Sequence, residues 1–199
     1  MNKKVITKKI IMGKYKGKVL KLPSMDTTRS SKSIVLESFF NTIQFDIIDA
    51  YFVEVFSGSG SIGLEALSRG ASNIIFMEKD KNALNVLKQN IAQTEPSACQ
   101  VFAGDSFSNI GEVMKTLKRK NEDAYIYIDP PFSIREGMED IYDKMLKLIA
   151  NLPTCIVKLI IIEHMTGLEI PSKIGSYTIK KSKKFGNTTL TYLQEEEVE

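Results

Sequence analysis

From Tyr51 onward, apolar runs of strand length alternate with longer amphipathic stretches: Tyr51 to Phe56 then Ser61 to Arg69, and Asn73 to Met77 then Lys81 to Gln93. The alternation continues with Ala98 to Ala103 then Phe107 to Lys120, Ala124 to Ile128 then Met138 to Ala150, and finally Val157 to Ile162. Continuous apolar runs mark strands buried on both faces, and a strand–helix–strand rhythm predicts a parallel sheet covered on both sides. After Ile162 the rhythm changes. Ser176 to Ser182 and Thr188 to Leu193 read as two alternating strands joined at Gly186-Asn187, an antiparallel hairpin closing the edge of the sheet.

Before Tyr51 the pattern differs again. Apolar and basic residues mix from Lys8 to Leu22 around Gly13 and Gly17, which predicts a short hairpin with glycines at its turns. Ile34, Val35, Phe39 and Phe40 lie at helical spacing behind a Ser/Thr/Arg start signal, so Ser30 to Thr42 predicts a helix. The expected organisation is a basic extension over 1–45, an α/β domain over 46–194 and a frayed acidic tail over 195–199.

Charge sharpens the division. Residues 1–32 hold ten Lys or Arg against one acid, so a net +9 there leaves −6 for the rest of a chain whose total is +3. A basic arm on an acidic body points to a polyanion such as RNA, with Lys14, Lys16, Lys18 and Arg29 as candidate phosphate contacts. The same lysines also suit a hairpin that keeps its edge charged against aggregation. Cys99, Cys155 and the single His164 form no metal-ligand pattern. No apolar run approaches membrane-spanning length and the basic start lacks the apolar stretch of a signal peptide. The expectation is a reduced, metal-free, monomeric cytoplasmic protein with one main core.

Ser57-Gly58-Ser59-Gly60-Ser61-Ile62-Gly63 follows the first core strand and opens its helix. Small residues there let a ligand approach the backbone and the helix N-terminus. Glu78, twenty positions after Gly58, is placed to accept from two ribose hydroxyls, so a nicotinamide dinucleotide is one reading of the loop. Asp105 and Asp129 follow the third and fourth core strands. In an open parallel sheet such strand ends line one crevice. Glu54 lies inside an otherwise apolar strand, where a carboxylate is costly unless it is hydrogen-bonded or faces a cation.

Asp129-Pro130-Pro131-Phe132 leaves its strand as a stiff elbow, because each proline fixes φ and removes a donor. A carboxylate, uncommitted carbonyls and an aromatic ring can hold a planar base by its amino group. Alone, the tetrapeptide is equally a strand followed by a Pro-Pro turn with Phe132 in the core.

Together, Glu54 to Gly63, Glu78, Asp105 and Asp129 to Phe132 resemble the ordered motifs of S-adenosylmethionine-dependent methyltransferases that act on exocyclic amines. Ile10 to Lys18, Glu37 to Asn41, Phe56 to Gly60 and Gly63 to Ala71 resemble the bacterial 16S rRNA guanine-N2 methyltransferases of the RsmD type. The resemblance implies a class I methyltransferase fold, Rossmann-like and α/β, with a mostly parallel seven-stranded sheet, a C-terminal antiparallel hairpin and a small N-terminal extension. It implies S-adenosyl-L-methionine as cofactor and 16S rRNA, in a small ribosomal subunit or its assembly intermediate, as partner. In this chain Arg29-Ser30-Ser31-Lys32-Ser33 stands where the family has Arg-Pro-Thr-Thr-Asp, Glu54 where Asp is usual, and Ser57 where Ala is usual.

Under that resemblance, Ser57, Gly58, Ser59, Gly60 and Gly63 pack against the cofactor's methionine part and Glu54 orients its amino acid end. Glu78 takes the ribose, Asp105 accepts from the adenine amine, and Asp129 with the Pro130 carbonyl accepts from the guanine amine beside Pro131 while Phe132 stacks. Three rivals share features with this reading: a DNA adenine-N6 methyltransferase, a nicotinamide-dependent oxidoreductase and a non-catalytic RNA-binding protein.

Overall fold

The computed structural model describes residues 6–23, 33–131 and 140–196, which fall into two compact units, Met1–Ser106 and Phe107–Glu199. Phe132 and Arg29 lie outside the described residues. No helix among the described residues is long and apolar enough to cross a membrane.

In the first unit, β1 (Thr7–Lys9) and β2 (Val19–Lys21) pair antiparallel as the predicted hairpin. The backbone N–H of Ile10 donates to Lys18 O at 3.0 Å and that of Gly17 to Ile10 O at 2.9 Å, closing the loop. Helix α1 (Ser33–Thr42) buries Val35, Leu36, Phe39 and Phe40. Its rings meet Phe52 of β3 (Tyr51–Glu54), with Phe39 6.1 Å and Phe40 6.4 Å from the Phe52 centroid. Tilted aromatic contacts at such distances add to the area they bury, so the extension is docked on the first core strand.

The rest of the unit is two strand–helix repeats. Helix α2 (Ser61–Ser68) follows β3, and β4 (Asn73–Glu78) is followed by α3 (Lys81–Ile91) and β5 (Cys99–Ala103). β3 pairs parallel with β4, and β4 with β5. Phe52, Val53, Ile74, Phe76 and Met77 are fully buried, as expected of strands covered on both faces. Asp80 caps α3 by accepting from Ala83 N–H at 2.8 Å.

Helix α4 (Ser106–Lys120) leads into the second unit, where β6 (Ala124–Ile128) pairs parallel with β7 (Val157–Met165). Helix α5 (Ile141–Ala150) joins them and buries Ile141, Met145, Leu148 and Ile149, one face at helical spacing. β9 (Tyr177–Phe185) and β10 (Thr188–Glu195) form the predicted hairpin, with β10 antiparallel to both β7 and β9. One strand departs from expectation. Between β7 and β9 in sequence, β8 (Lys173–Ile174) pairs antiparallel with Thr178 and Tyr177. With three strands of the first unit and five of the second, the described residues hold one more than the seven expected, the two-stranded hairpin aside. β8 is too short to carry an alternation that sequence reading could detect.

His164 is buried on β7, its Nδ1 3.0 Å from Met165 O and its Nε2 2.9 Å from the Thr191 hydroxyl. A carbonyl can only accept, so Nδ1 carries the proton and Nε2 receives the Thr191 hydroxyl. Burial lowers its pKa below the ordinary value, and the ring serves the hairpin.

Candidate functional site

The glycine loop between β3 and α2 lies within the first unit and is fastened at several points. The Ser57 hydroxyl donates to Glu54 O at 2.8 Å and accepts from Met77 N–H at 2.9 Å, joining the ends of β3 and β4. An alanine there could make neither bond, so this chain's departure from the family pattern tightens the loop. Gly60 N–H donates back to Ser57 O at 2.7 Å. Asn90 of α3, fully buried, donates to Ser59 O at 2.9 Å.

Two glycines answer different demands. A Cβ on Gly63 would lie 2.5 Å from Phe76 and 2.7 Å from Ile74, so glycine is required for α2 to sit this close to β4. Gly58 has φ +51° and nothing within 4 Å of where its Cβ would be. It thus keeps a stretch of backbone bare, as close approach of a ligand demands.

Carboxylates flank the loop. Glu78, at the end of β4, accepts from Gly58 N–H at 2.7 Å through Oε2, and from Lys79 and Asp80 N–H, each at 2.8 Å, through Oε1. Three donors fix its orientation. Glu54 is only 4% exposed and accepts from Gly63 N–H at 2.9 Å through Oε2, capping the start of α2. Burial pushes its pKa up to about 8, against the opposing pull of the Gly63 and Ile62 N–H groups and the Lys8 charge. At neutral pH Glu54 holds a proton. Asp105 follows β5 and is exposed, next to Ser106, whose buried hydroxyl donates to Val55 O.

Glu54, Ser57, Gly58, Ser59, Gly60, Gly63, Glu78 and Asp105 therefore all fall in the first unit. The elbow falls in the second, where Asp129 is half-buried, Pro130 buried and Pro131 half-buried as the chain leaves β6. Below it on the same strand, the buried Tyr127 hydroxyl donates to Glu163 Oε2 of β7 at 2.5 Å. Tyr142 of α5 is within electrostatic reach of Asp129: burial first, and then the Asp129 charge, raise its phenol pKa. Sequence reading missed Tyr142, and only its place in the first turn of α5 could have flagged it.

The basic hairpin is more firmly built than a charged tail. Glu65 of α2, 2% exposed, accepts from the N–H groups of Ile11 at 2.7 Å and Met12 at 3.1 Å and from Arg69 Nε at 2.7 Å. The Ser68 hydroxyl accepts from Tyr15 N–H at 2.9 Å. Asn90 joins in from α3, exchanging 2.9 Å bonds with the Lys21 backbone. Lys14, Lys16 and Lys18 are exposed. Lys14 pairs with Glu95 at 2.7 Å and sits with Lys18 over the Tyr15 ring, at 5.2 and 5.8 Å from its centroid.

Comparison with known proteins sets this geometry in context. A family model described as conserved hypothetical protein 95 matches residues 8–194. YlbH of Bacillus subtilis (strain 168), provisionally named an rRNA methyltransferase, is 29% identical over 183 residues, covering 90% of this chain and 95% of that protein. Ribosomal RNA small subunit methyltransferase D of Escherichia coli (strain K12) is 30% identical over 130 residues, covering 65% of this chain and 62% of that protein. Among solved structures, yhhF of Escherichia coli, provisionally called a methyltransferase, has a TM-score of 0.74 at 24% identity, covering 96% of this chain and 100% of that one. The likeness extends the fold over nearly the whole chain: α/β, with parallel strands followed by C-terminal antiparallel ones.

Proposed function

Because the chain belongs to the family described as conserved hypothetical protein 95, the RsmD family, we propose that it is an S-adenosylmethionine-dependent methyltransferase acting on the exocyclic N2 amine of a guanine in 16S rRNA. The observation that carries the cofactor reading is the glycine loop with its carboxylates. Gly58 leaves backbone bare, Glu78 is held ready for hydroxyls and Glu54 is ready for an ammonium group. The nicotinamide rival explains the glycines and Glu78 but leaves Asp129 to Phe132 without a task.

S-adenosylmethionine supplies a methyl group on a positive sulfur, already electrophilic, so the chain's task is mainly alignment. Glu54 binds the ammonium of the amino acid end and Glu78 the ribose, while Asp105 accepts from the adenine amine. In the second unit, Asp129 and the Pro130 carbonyl accept from the guanine amine, turning its lone pair toward the methyl group, and Pro131 stiffens the elbow. Phe132 stacks on the base. Asp129 acts as acceptor first. The amine becomes acidic only once methylated, when Asp129 can take its proton.

The hairpin's Lys14, Lys16 and Lys18, with Arg29, contact flanking phosphates. Its docking on α2 and α3 through Glu65, Ser68 and Asn90 supports this, because a rigid arm positions RNA where a loose one only attracts it. The test is transfer of labelled methyl from S-adenosylmethionine to small subunits, free rRNA and DNA in parallel, followed by nucleoside analysis. N2-methylguanosine from rRNA is expected. N6-methyladenosine from DNA would replace this reading with the adenine methyltransferase.

A further inference from the structure

The hairpin also reaches the cofactor loop. Lys8 of β1 is half-buried, and its Nζ donates to the hydroxyl of Ser61, the first residue of α2, across a long 3.5 Å. On the same helix end, Gly63 N–H is held by the Glu54 carboxyl, and the charge of Lys8 acts on that carboxyl. An acid that receives an ammonium and an ammonium that attracts an anion thus sit side by side at the start of α2. That is the complement of a free amino acid's two charges.

We propose that Lys8 binds the carboxylate of the cofactor's amino acid end while Glu54 binds its ammonium, so that the N-terminal hairpin completes the cofactor site as well as serving RNA. The inference rests on the cofactor reading above. The direction follows from the loop. On the cofactor reading Glu78, whose Oε2 holds the Gly58 N–H, takes the ribose, so the amino acid end would extend toward Glu54, Ser61 and Lys8. The Lys8 ammonium has three donors, so it can hold a carboxylate while keeping its bond to Ser61. Nothing in the sequence singled Lys8 out from the other lysines of the basic arm.

Ligand truncation tests this without turnover. Calorimetry would compare the full-length chain and Lys8→Met with S-adenosylhomocysteine, which keeps the amino acid end, and 5′-methylthioadenosine, which lacks it. Expected is a loss of roughly ten- to a hundredfold in affinity for the first, the range of a charge-assisted hydrogen bond, with no change for the second. Lys8→Arg should recover part of the loss. Equal weakening toward both ligands, or none toward S-adenosylhomocysteine, would overturn the role of Lys8. An unaltered chain that bound neither ligand would instead refute the cofactor reading, and this inference with it.

Discussion

Glu65 accepts the backbone N–H of Ile11 at 2.7 Å across 54 positions of sequence, one of several bonds that hold the basic hairpin against the helix following the glycine loop. The same carboxylate holds Arg69, whose Nη2 is buried without a hydrogen-bond partner and whose guanidinium stacks 4.8 Å from the Phe40 centroid. Removing the acid therefore strands a buried cation as well as two N–H groups. Glu65→Ala should lower stability by on the order of 3–5 kcal/mol in a denaturant titration. It should also expose the hairpin to protease at Lys14 to Lys18.

Asn90 links the hairpin to the loop, bonding Lys21 on one side and Ser59 on the other. Asn90→Ala takes the partner from the buried Ser59 O and from the N–H and C=O of Lys21, and should cost about 1–3 kcal/mol in stability. Affinity for S-adenosylmethionine, measured by calorimetry, should fall with it, because Ser59 O loses its anchor. A conservative Asn90→Asp restores the acceptor toward Lys21 but not the donors, so it should recover stability only in part.

Residues that share a short window were legible in the sequence, and residues that meet across the fold were not. Gly58 and Glu78 showed themselves through spacing alone, since a strand, a turn and a helix fix how far apart they stand. The strand–helix boundaries followed from apolar runs, and β8 escaped because two residues make no pattern. Glu65 and Asn90 read as ordinary polar positions on amphipathic helices. Their partners in the hairpin lie 53 to 69 positions away, and only packing reveals that both are buried. Glu54 lay between. Its place among apolar residues showed that it needed a reason, and the structure supplied one in the Gly63 N–H and the neighbouring Lys8 charge.

Glu54 makes stability depend on pH in a definite direction. Its pKa rises from 4.5 to about 8 on folding, so between those values the folded chain holds a proton that the unfolded chain has released. Its contribution is fully present below about 4.5 and is lost as pH rises through about 8. Glu54→Gln should keep the fold at pH 7 and flatten this slope in melting curves taken across that window. It should also weaken S-adenosylmethionine binding. In the unaltered chain, binding at pH 7 should release a proton, read from calorimetry in buffers of differing ionisation enthalpy, and Glu54→Gln should abolish the release.

The hairpin lysines should report RNA through salt. The Lys14–Glu95 pair is exposed, with side chains 66% and 43% accessible, and such pairs hold little energy against a competing phosphate. Reversing charge at Lys14, Lys16 and Lys18 should weaken rRNA binding and reduce the slope of log affinity against log salt by about 0.7–0.9 for each phosphate no longer neutralised. Cofactor affinity should be unchanged.

The central claim is that Asp129 presents the amine for methyl transfer, and Asp129→Ala separates that task from cofactor binding. The measurement is single-turnover transfer of labelled methyl to 16S rRNA in small subunits, beside calorimetry of S-adenosylmethionine on the same preparation. The account predicts unchanged cofactor affinity with transfer slowed on the order of a hundredfold or more. Transfer at the unaltered rate by Asp129→Ala would contradict it.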